Sequence, residues 1–201
     1  MQIGSDYLLK FIPGHISPEE GEWLAKKAAG GIAVEIGSYR GKSTCYIASK
    51  ASKVISCDAF CGQKIMRSDQ KEVDFRKVKE DWYNNISRFE FQNNVKLYAK
   101  LSEEIYPILL SIYRGKIDLV FVDGGHDKTS IRFDVCYANL LRKNGIIAFH
   151  DYLNSSYPDV QSVVTAWSKK LRNKISTIIS TGRIKAYKIK HNLNISLDWW
   201  N

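Results

Sequence analysis

Nowhere in the 201 residues does an apolar run approach the roughly 20 residues that span a bilayer. The opening Met1-Gln2-Ile3-Gly4-Ser5-Asp6 also lacks the basic segment and apolar stretch of a signal peptide. A cytoplasmic protein with no membrane span is therefore the expectation. Repeats, low-complexity tracts and linkers are absent too, so one domain is expected over 1–201. Its parts are an N-terminal helical segment (1–31) and a core (32–201). Cysteine is scarce: Cys57 and Cys61 lie close together, but no second pair or Cys/His cluster completes a zinc site. Cys45, Cys57, Cys61 and Cys136 read as reduced, mostly buried thiols. Acid is missing altogether between Val160 and Leu197. That stretch carries Lys169, Lys170, Arg172, Lys174, Arg183, Lys185, Lys188 and Lys190, part of a net charge of +9. Such a run is ordinarily a solvated face, and otherwise a surface for an anionic substrate, nucleic acid or phospholipid.

What is present is an alternation of strand and helix patterns, which specifies an α/β fold: a Rossmann-like, doubly wound, mostly parallel seven-stranded sheet with helices on both faces. Ser17-Pro18-Glu19-Glu20 reads as a helix start, with an N-cap serine, proline at the first helical position and acids in the first turn. Strands are expected at Ile32–Ile36, Val54–Cys57, Val95–Tyr98, Asp118–Val122, Ile146–Phe149, Ile175–Ile179 and Ala186–Ile189. Between them, helices are expected over Lys42–Ala51, Ser68–Phe89, Ser102–Tyr113, Lys128–Arg142 and Asp159–Leu171. The fourth of these helices is expected to stop at Asn144-Gly145.

The segment Glu35-Ile36-Gly37-Ser38-Tyr39-Arg40-Gly41-Lys42-Ser43-Thr44 joins the first strand to a helix. Glycine there lets backbone approach a ligand, and the helix start offers free amides. It is not a P-loop, which needs four residues between its glycine and the Gly-Lys pair, where Gly37 and Gly41 have three between them. Nor is it a dinucleotide fingerprint, because Tyr39 occupies the second glycine. Asp58 closes the second strand about 20 residues on, where a carboxylate accepts both hydroxyls of a ribose. The alternative for a lone Asp after a strand is a turn former.

Two further strand ends carry chemistry. One is Asp123-Gly124-Gly125-His126 and the other is His150-Asp151. Ligands of open α/β sheets bind beyond the carboxyl ends of the strands, so Gly37, Asp123, His126, His150 and Asp151 are expected on one rim. Two carboxylates and two imidazoles there need pairing, water or a metal. His126 is the general-base candidate, because imidazole titrates near neutrality. His15 and His191 read as surface residues. Asp134 either stabilises its helix or reaches back toward His126.

Together, the stretches Val34 to Thr44, Phe121 to His126 and Asn144 to Tyr152 resemble class I S-adenosylmethionine-dependent methyltransferases. The resemblance is narrower to the macrocin-type sugar O-methyltransferases and cephalosporin-hydroxylase-like proteins, and more distant to catechol O-methyltransferases. It implies that Glu35, Gly37 and Ser38 lie against the methionine part of S-adenosylmethionine, with Tyr39, Gly41 and Ser43 in the same cofactor loop. It also implies that Asp58 holds the ribose, Ser102 touches the adenine, and Asp123 and His126 are catalytic. Asp123, His150 and Asp151 form the implied metal set. Better-known metal-dependent members place an oxygen ligand where His150 stands. Magnesium prefers oxygen, so His150 leaves open manganese, iron, zinc or no metal.

The expected activity is methyl transfer to a hydroxyl of a small molecule or sugar, with His126 taking the proton. The acceptor is expected to contact loops at Phe60–Ser68 and Tyr152–Pro158, where Phe60, Lys64, Arg67, Tyr152 and Tyr157 stand. Two alternatives of other kinds are a non-haem metal-dependent oxygenase and an RNA methyltransferase using the basic C-terminal region. No Asn/Asp-Pro-Pro-Tyr base-clamping motif supports the latter.

Overall fold

The computed structural model describes residues 9–61 and 73–200. Helix α1 (Pro18–Ala28) begins on a complete capping box. The Ser17 hydroxyl accepts from the Glu20 amide, and the Glu20 carboxylate accepts from the Ser17 amide. There follow β1 (Ile32–Ile36), α2 (Lys42–Ala48), β2 (Lys53–Cys57), α3 (Phe75–Arg88), β3 (Val95–Tyr98), α4 (Ser102–Tyr113) and β4 (Ile117–Val122). The chain continues through α5 (Lys128–Asp134), a 3-10 turn (Val135–Leu140), β5 (Leu141–Phe149), α6 (Pro158–Lys170), β6 (Ile175–Ile178) and β7 (Lys185–Ile189).

The seven strands form one sheet in the order β3-β2-β1-β4-β5-β7-β6, parallel except for β7, which runs against both β5 and β6. Alternate residues of each strand face opposite layers. On β1, Ala33 joins a core with α1, α2 and α3 that includes Leu24, Tyr46, Ile47, Val78 and Trp82. Val34 joins the other core, with Leu109, Val164 and Trp167 from α4 and α6. The sheet is therefore doubly wound, and β1 and β4 are buried on both faces, which is why each is apolar but for one acid, Glu35 in β1 and Asp118 in β4. Helix α3 places Val78, Trp82 and Ile86 on one buried stripe at i, i+4 and i+8. Its N-cap Asp74 accepts from the Arg76 and Lys77 amides, a cap worth about 1 kcal/mol.

Several element boundaries differ from the sequence reading, most by a single residue and a few by more. Helix α2 ends at Ala48 rather than Ala51, where the Ser49 hydroxyl turns back to the Tyr46 carbonyl. The helix expected over Lys128–Arg142 gives way at Val135 to the 3-10 turn, and β5 begins at Leu141. Asn144-Gly145 is a break inside β5, not a helix stop. Ile117 pairs with Leu141 and Leu119 with Ile146, so the residues between loop out, with Asn144 at φ 68. The helix expected over Ser68–Phe89 begins only at Phe75, where Asp74 caps it; residues 62–72, with Lys64, Arg67 and Ser68, lie outside the described residues. No helix of the described residues is long and apolar enough to cross a membrane. Cys45, Cys57 and Cys136 are buried free thiols, and Cys61 is exposed.

Candidate active site

Strand register builds the site. Ile36 pairs with Val122 across β1 and β4, and Val122 pairs with Phe149 across β4 and β5. One residue past each strand, the ladder continues. The Gly37 amide donates to Cys57, the Asp123 amide to Ile36 and the His150 amide to Val122. Gly37, Asp123 and His150 thus stand side by side on the carboxyl rim, as the sequence pattern requires.

Gly37 has φ +81, and a Cβ there would lie 2.2 Å from the Asp123 carbonyl oxygen, so the two strand ends touch backbone to backbone. Gly41, also left-handed at φ +82, starts α2 with no side-chain cap of its own. Between them, Ser38 is 3% exposed and its hydroxyl lacks a partner. Glu35 is fully buried beneath the loop. Its Oε2 accepts from the Thr44 and Ser56 hydroxyls, and its Oε1 lacks a partner. Burial raises its carboxyl to about 7, partly offset by the hydroxyls of Ser43, Thr44 and Ser56.

Asp58 is already engaged. Its Oδ2 accepts from the Ser38 and Tyr39 amides at 2.8 Å each, and its Oδ1 accepts from the Phe60 amide at 2.8 Å. Three of a carboxylate's roughly four acceptor positions are therefore filled by backbone. Asp58 shapes the loop, holding Tyr39 at φ 48. Ser102, at the start of α4, donates to Asp134 at 2.7 Å. Asp134 is 1% exposed, and burial raises its carboxyl to about 7 against the Ser102 bond. Of the two readings of Asp134 from sequence, neither fits fully: it ties α5 to α4 through Ser102, and no hydrogen bond or ion pair joins it to His126.

At the rim, His150 is enclosed. Its Nδ1 lies 3.1 Å from Asp123 Oδ1 and 3.6 Å from Asp151 Oδ2, and its Nε2 lies 3.4 Å from Glu20 Oε2. Burial pulls its pKa down, but the charge of Asp123 and the bonds to Asp123, Asp151 and Glu20 outweigh it and lift it to about 11. His126 places Nε2 3.2 Å from Asp151 Oδ2 and 3.6 Å from Asp123 Oδ1, and its ring stacks on Tyr157 at 4.1 Å between centroids. There too, burial is outweighed by the two carboxylates, and the imidazole is raised to about 9. Burial pushes Asp123 and Asp151 upward, but the two histidines hold both carboxyls below the usual range. Asp151, at φ 54, also accepts from Arg183 at 2.8 Å and Asn154 at 2.9 Å. The cavity lined by Asp123, Gly125, His126 and His150 is about 10 Å³, close to the room for a single water or ion.

Donor atoms of Asp123, His150 and Asp151 lie within 4.8 Å of one another, so this set fits a metal. It fits on one condition: His150 must turn an unprotonated Nδ1 to the carboxylates while Nε2–H is held by Glu20. Two oxygens and an imidazole suit manganese, iron or zinc better than magnesium.

Glu20 and Arg183 were not singled out from the sequence. Glu20 was read only as a first-turn acid. Its Oε2 closes the capping box and faces His150, and its Oε1 accepts from the Arg183 amide at 2.6 Å. Arg183 also donates to the carbonyl of His15. The Ser-x-x-Glu spacing signalled the cap, but nothing local signals a contact 130 residues away. His15 and His191 are exposed, as expected.

The fold has parallels among known proteins. The O-methyltransferase TomG of Streptomyces achromogenes, involved in tomaymycin synthesis and solved with S-adenosylmethionine, superposes with a TM-score of 0.64 at 15% identity. The match covers 88% of this chain and 82% of that one. An O-methyltransferase from Bacillus cereus in complex with S-adenosylhomocysteine gives 0.65 at 19%, over 94% and 93%. An rRNA methylase from Streptococcus thermophilus gives 0.59 at 14%, over 85% and 93%. At such identities the likeness is one of fold. No curated protein matches by sequence. A family profile described as "Methyltransferase domain" matches residues 34–152, from the middle of β1 past the end of β5. That span holds the glycine loop and both strand ends of the rim in one frame and takes in more than half of the sequence, so the chain belongs to the methyltransferase-domain family.

Proposed function

We propose that this protein is an S-adenosylmethionine-dependent O-methyltransferase acting on a hydroxyl of a small molecule or sugar. The observation that carries the reading is the backbone contact of Gly37 with Asp123, which sets a ligand loop against the strand end whose carboxylate faces His126. Two buried polar atoms without partners, Ser38 Oγ and Glu35 Oε1, border that loop and suit the ammonium and carboxylate of a methionine moiety. When bound, the cofactor supplies a methyl group on a positively charged sulfur, an excellent leaving group.

What remains for this chain is alignment and proton management. Gly37, Ser38, Tyr39, Gly41 and Ser43 form the cofactor loop beside Glu35, and Ser102 borders the adenine side. Asp58 keeps about one acceptor position free for a ribose hydroxyl while holding the loop amides. His126 is the base toward the acceptor hydroxyl. Because Asp123 and Asp151 hold its proton up to about 9, it acts once that proton is lost, and turnover is expected to climb with pH toward 9. Asp123, His150 and Asp151 are the residues that would hold a divalent cation, whose chemistry there would be to orient and acidify the hydroxyl. Tyr157, stacked on His126, and Tyr152 sit where the acceptor would enter.

Titration calorimetry with S-adenosylmethionine and S-adenosylhomocysteine, with and without Mn²⁺ or Mg²⁺, tests the reading. Micromolar binding supports it, and no binding under any condition ends it. The two imidazoles beside two carboxylates also keep the oxygenase reading in play, which bound iron with oxygen consumption would establish.

A further inference from the structure

Away from the rim, a cavity of about 320 Å³ opens at the far end of α6, lined by Trp167, Lys170, Leu171, Lys174, Ile195 and Trp199. That size falls within the range of small-molecule sites. Its apolar lining comes from Leu171, Ile195 and two indoles, and Trp167 is fully buried with its N–H unpartnered.

The charge around the cavity is mainly positive. Lys170 and Lys174 are both exposed at the mouth. Lys174 has no acidic partner among the described residues. Lys170 donates to the Trp199 carbonyl and lies near the exposed Asp198, which accepts from the Ser196 hydroxyl. Arg114 adds a third cation through its bond to Asn194, which also lines the cavity. These residues belong to the acid-free basic stretch or pack against it, and the rim chemistry uses none of them.

We propose that this cavity is a second binding site, for a small molecule with a flat aromatic body and one anionic group. The body would lie among Trp167, Trp199 and Leu171, and the anion would meet Lys174 at the mouth. The site is not the acceptor pocket. Helix α6 starts next to Tyr157, the residue stacked on His126, and its 13 residues carry the chain roughly 20 Å to Lys170. The ligand would thus sit at one end of the helix whose other end abuts the catalytic histidine.

The probe is 2-naphthoate, with 2-naphthalenemethanol as its uncharged counterpart, titrated into the full chain by calorimetry and by ligand-observed NMR. Naphthoate is expected to bind and the alcohol to bind roughly tenfold more weakly, the worth of one charge-assisted hydrogen bond. Lys174→Glu, at an exposed position that leaves the fold intact by circular dichroism, should weaken naphthoate at least tenfold and leave the alcohol unchanged. Saturating S-adenosylhomocysteine should not displace it. No naphthoate binding, equal binding of acid and alcohol, an unaffected Lys174→Glu variant, or displacement by S-adenosylhomocysteine would each overturn the proposal. None of these outcomes bears on whether the rim transfers methyl groups.

Discussion

Replacing Glu20 with alanine should cost this protein more stability than any other single change in its N-terminal helix. The residue is 2% exposed and makes three separate connections. Its bond to the Ser17 amide completes the capping box, a cap worth about 1 kcal/mol. Its Oε1 is the acceptor for the Arg183 amide, and a buried amide left unpaired costs about 1–2 kcal/mol. Its Oε2 faces His150, whose side chain is fully buried. Breaking a buried ion pair from one side costs roughly 3–5 kcal/mol, and the low end applies because Asp123 still faces Nδ1. Together the loss is roughly 5 kcal/mol, or about 10–20 °C in melting temperature for a domain of this size. Glu20→Gln keeps one carboxamide oxygen, enough for only one of the two amides, sets an NH2 against the other and loses the charge, so it should recover only part of the loss. Glu22→Ala, exposed on the same helix, is the control and should stay within about 1 °C. Thermal melting followed by circular dichroism at pH 7 reads all three. A Glu20→Ala variant melting within about 3 °C of the parent would refute the argument that this carboxylate ties α1 to the rim.

His126→Ala should abolish methyl transfer while S-adenosylhomocysteine binding by calorimetry stays within about threefold, and retained turnover would remove His126 from the chemistry. Gly37→Ala should lose cofactor binding and about 3 kcal/mol of stability or more, because its Cβ meets the Asp123 carbonyl at 2.2 Å in a left-handed backbone; chemical denaturation and calorimetry check this. Both rim histidines are raised above the ordinary value of 6.5, to about 9 and about 11. The stability they confer is therefore complete below pH 6.5 and declines as pH rises through 9, at most by roughly 1.4 kcal/mol per pH unit for each histidine. Urea denaturation at pH 6.5, 7.5 and 8.5 should show that fall, and His126→Asn should about halve its slope. Mn²⁺ affinity measured by calorimetry at the same pH values should instead rise up to about tenfold per unit for each proton that the metal displaces; a flat profile would exclude His150 as a ligand.

The parts of the fold legible in the sequence were those where one physical cause dominates. Strands β1 and β4 are covered on both faces, so Ile32–Ile36 and Asp118–Val122 are apolar apart from Glu35 and Asp118, and their ends locate the rim. The boundary at Asn144-Gly145 was misread because positive φ at Asn144 followed by glycine serves a helix stop and a strand bulge equally well. Pairing of Leu119 with Ile146 decides between them, and that contact is nonlocal. Asp58 ends β2 as the pattern has it, but its bonds to the Ser38 and Tyr39 amides depend on how the glycine loop lies beside β2, and only the Phe60 bond is local. Glu20 was the largest omission: its partners His150 and Arg183 are 130 and 163 residues away, beyond any local spacing rule.

From sequence His126 is a base candidate because imidazole titrates near neutrality, whereas in the structure its pKa is raised to about 9, so the proposed role requires that proton to be lost first. Three carboxylates (Glu20, Asp123 and Asp151) face three cationic groups (His126, His150 and Arg183) across the rim. With both imidazoles protonated the cluster is electrically balanced, which is why the carboxyls titrate low and the imidazoles high. A divalent cation among Asp123, His150 and Asp151 restores that balance only by displacing protons, and the proton on His150 Nδ1 is the one in the way. Glu20 then takes a definite part: by accepting from Nε2 it selects the tautomer whose free nitrogen faces the carboxylates. A cation held there would weaken the hold of Asp123 and Asp151 on His126 and so lower its pKa from about 9. Cation affinity and the basicity of His126 are thus two readings of one charge balance, and any change at Glu20 should move both.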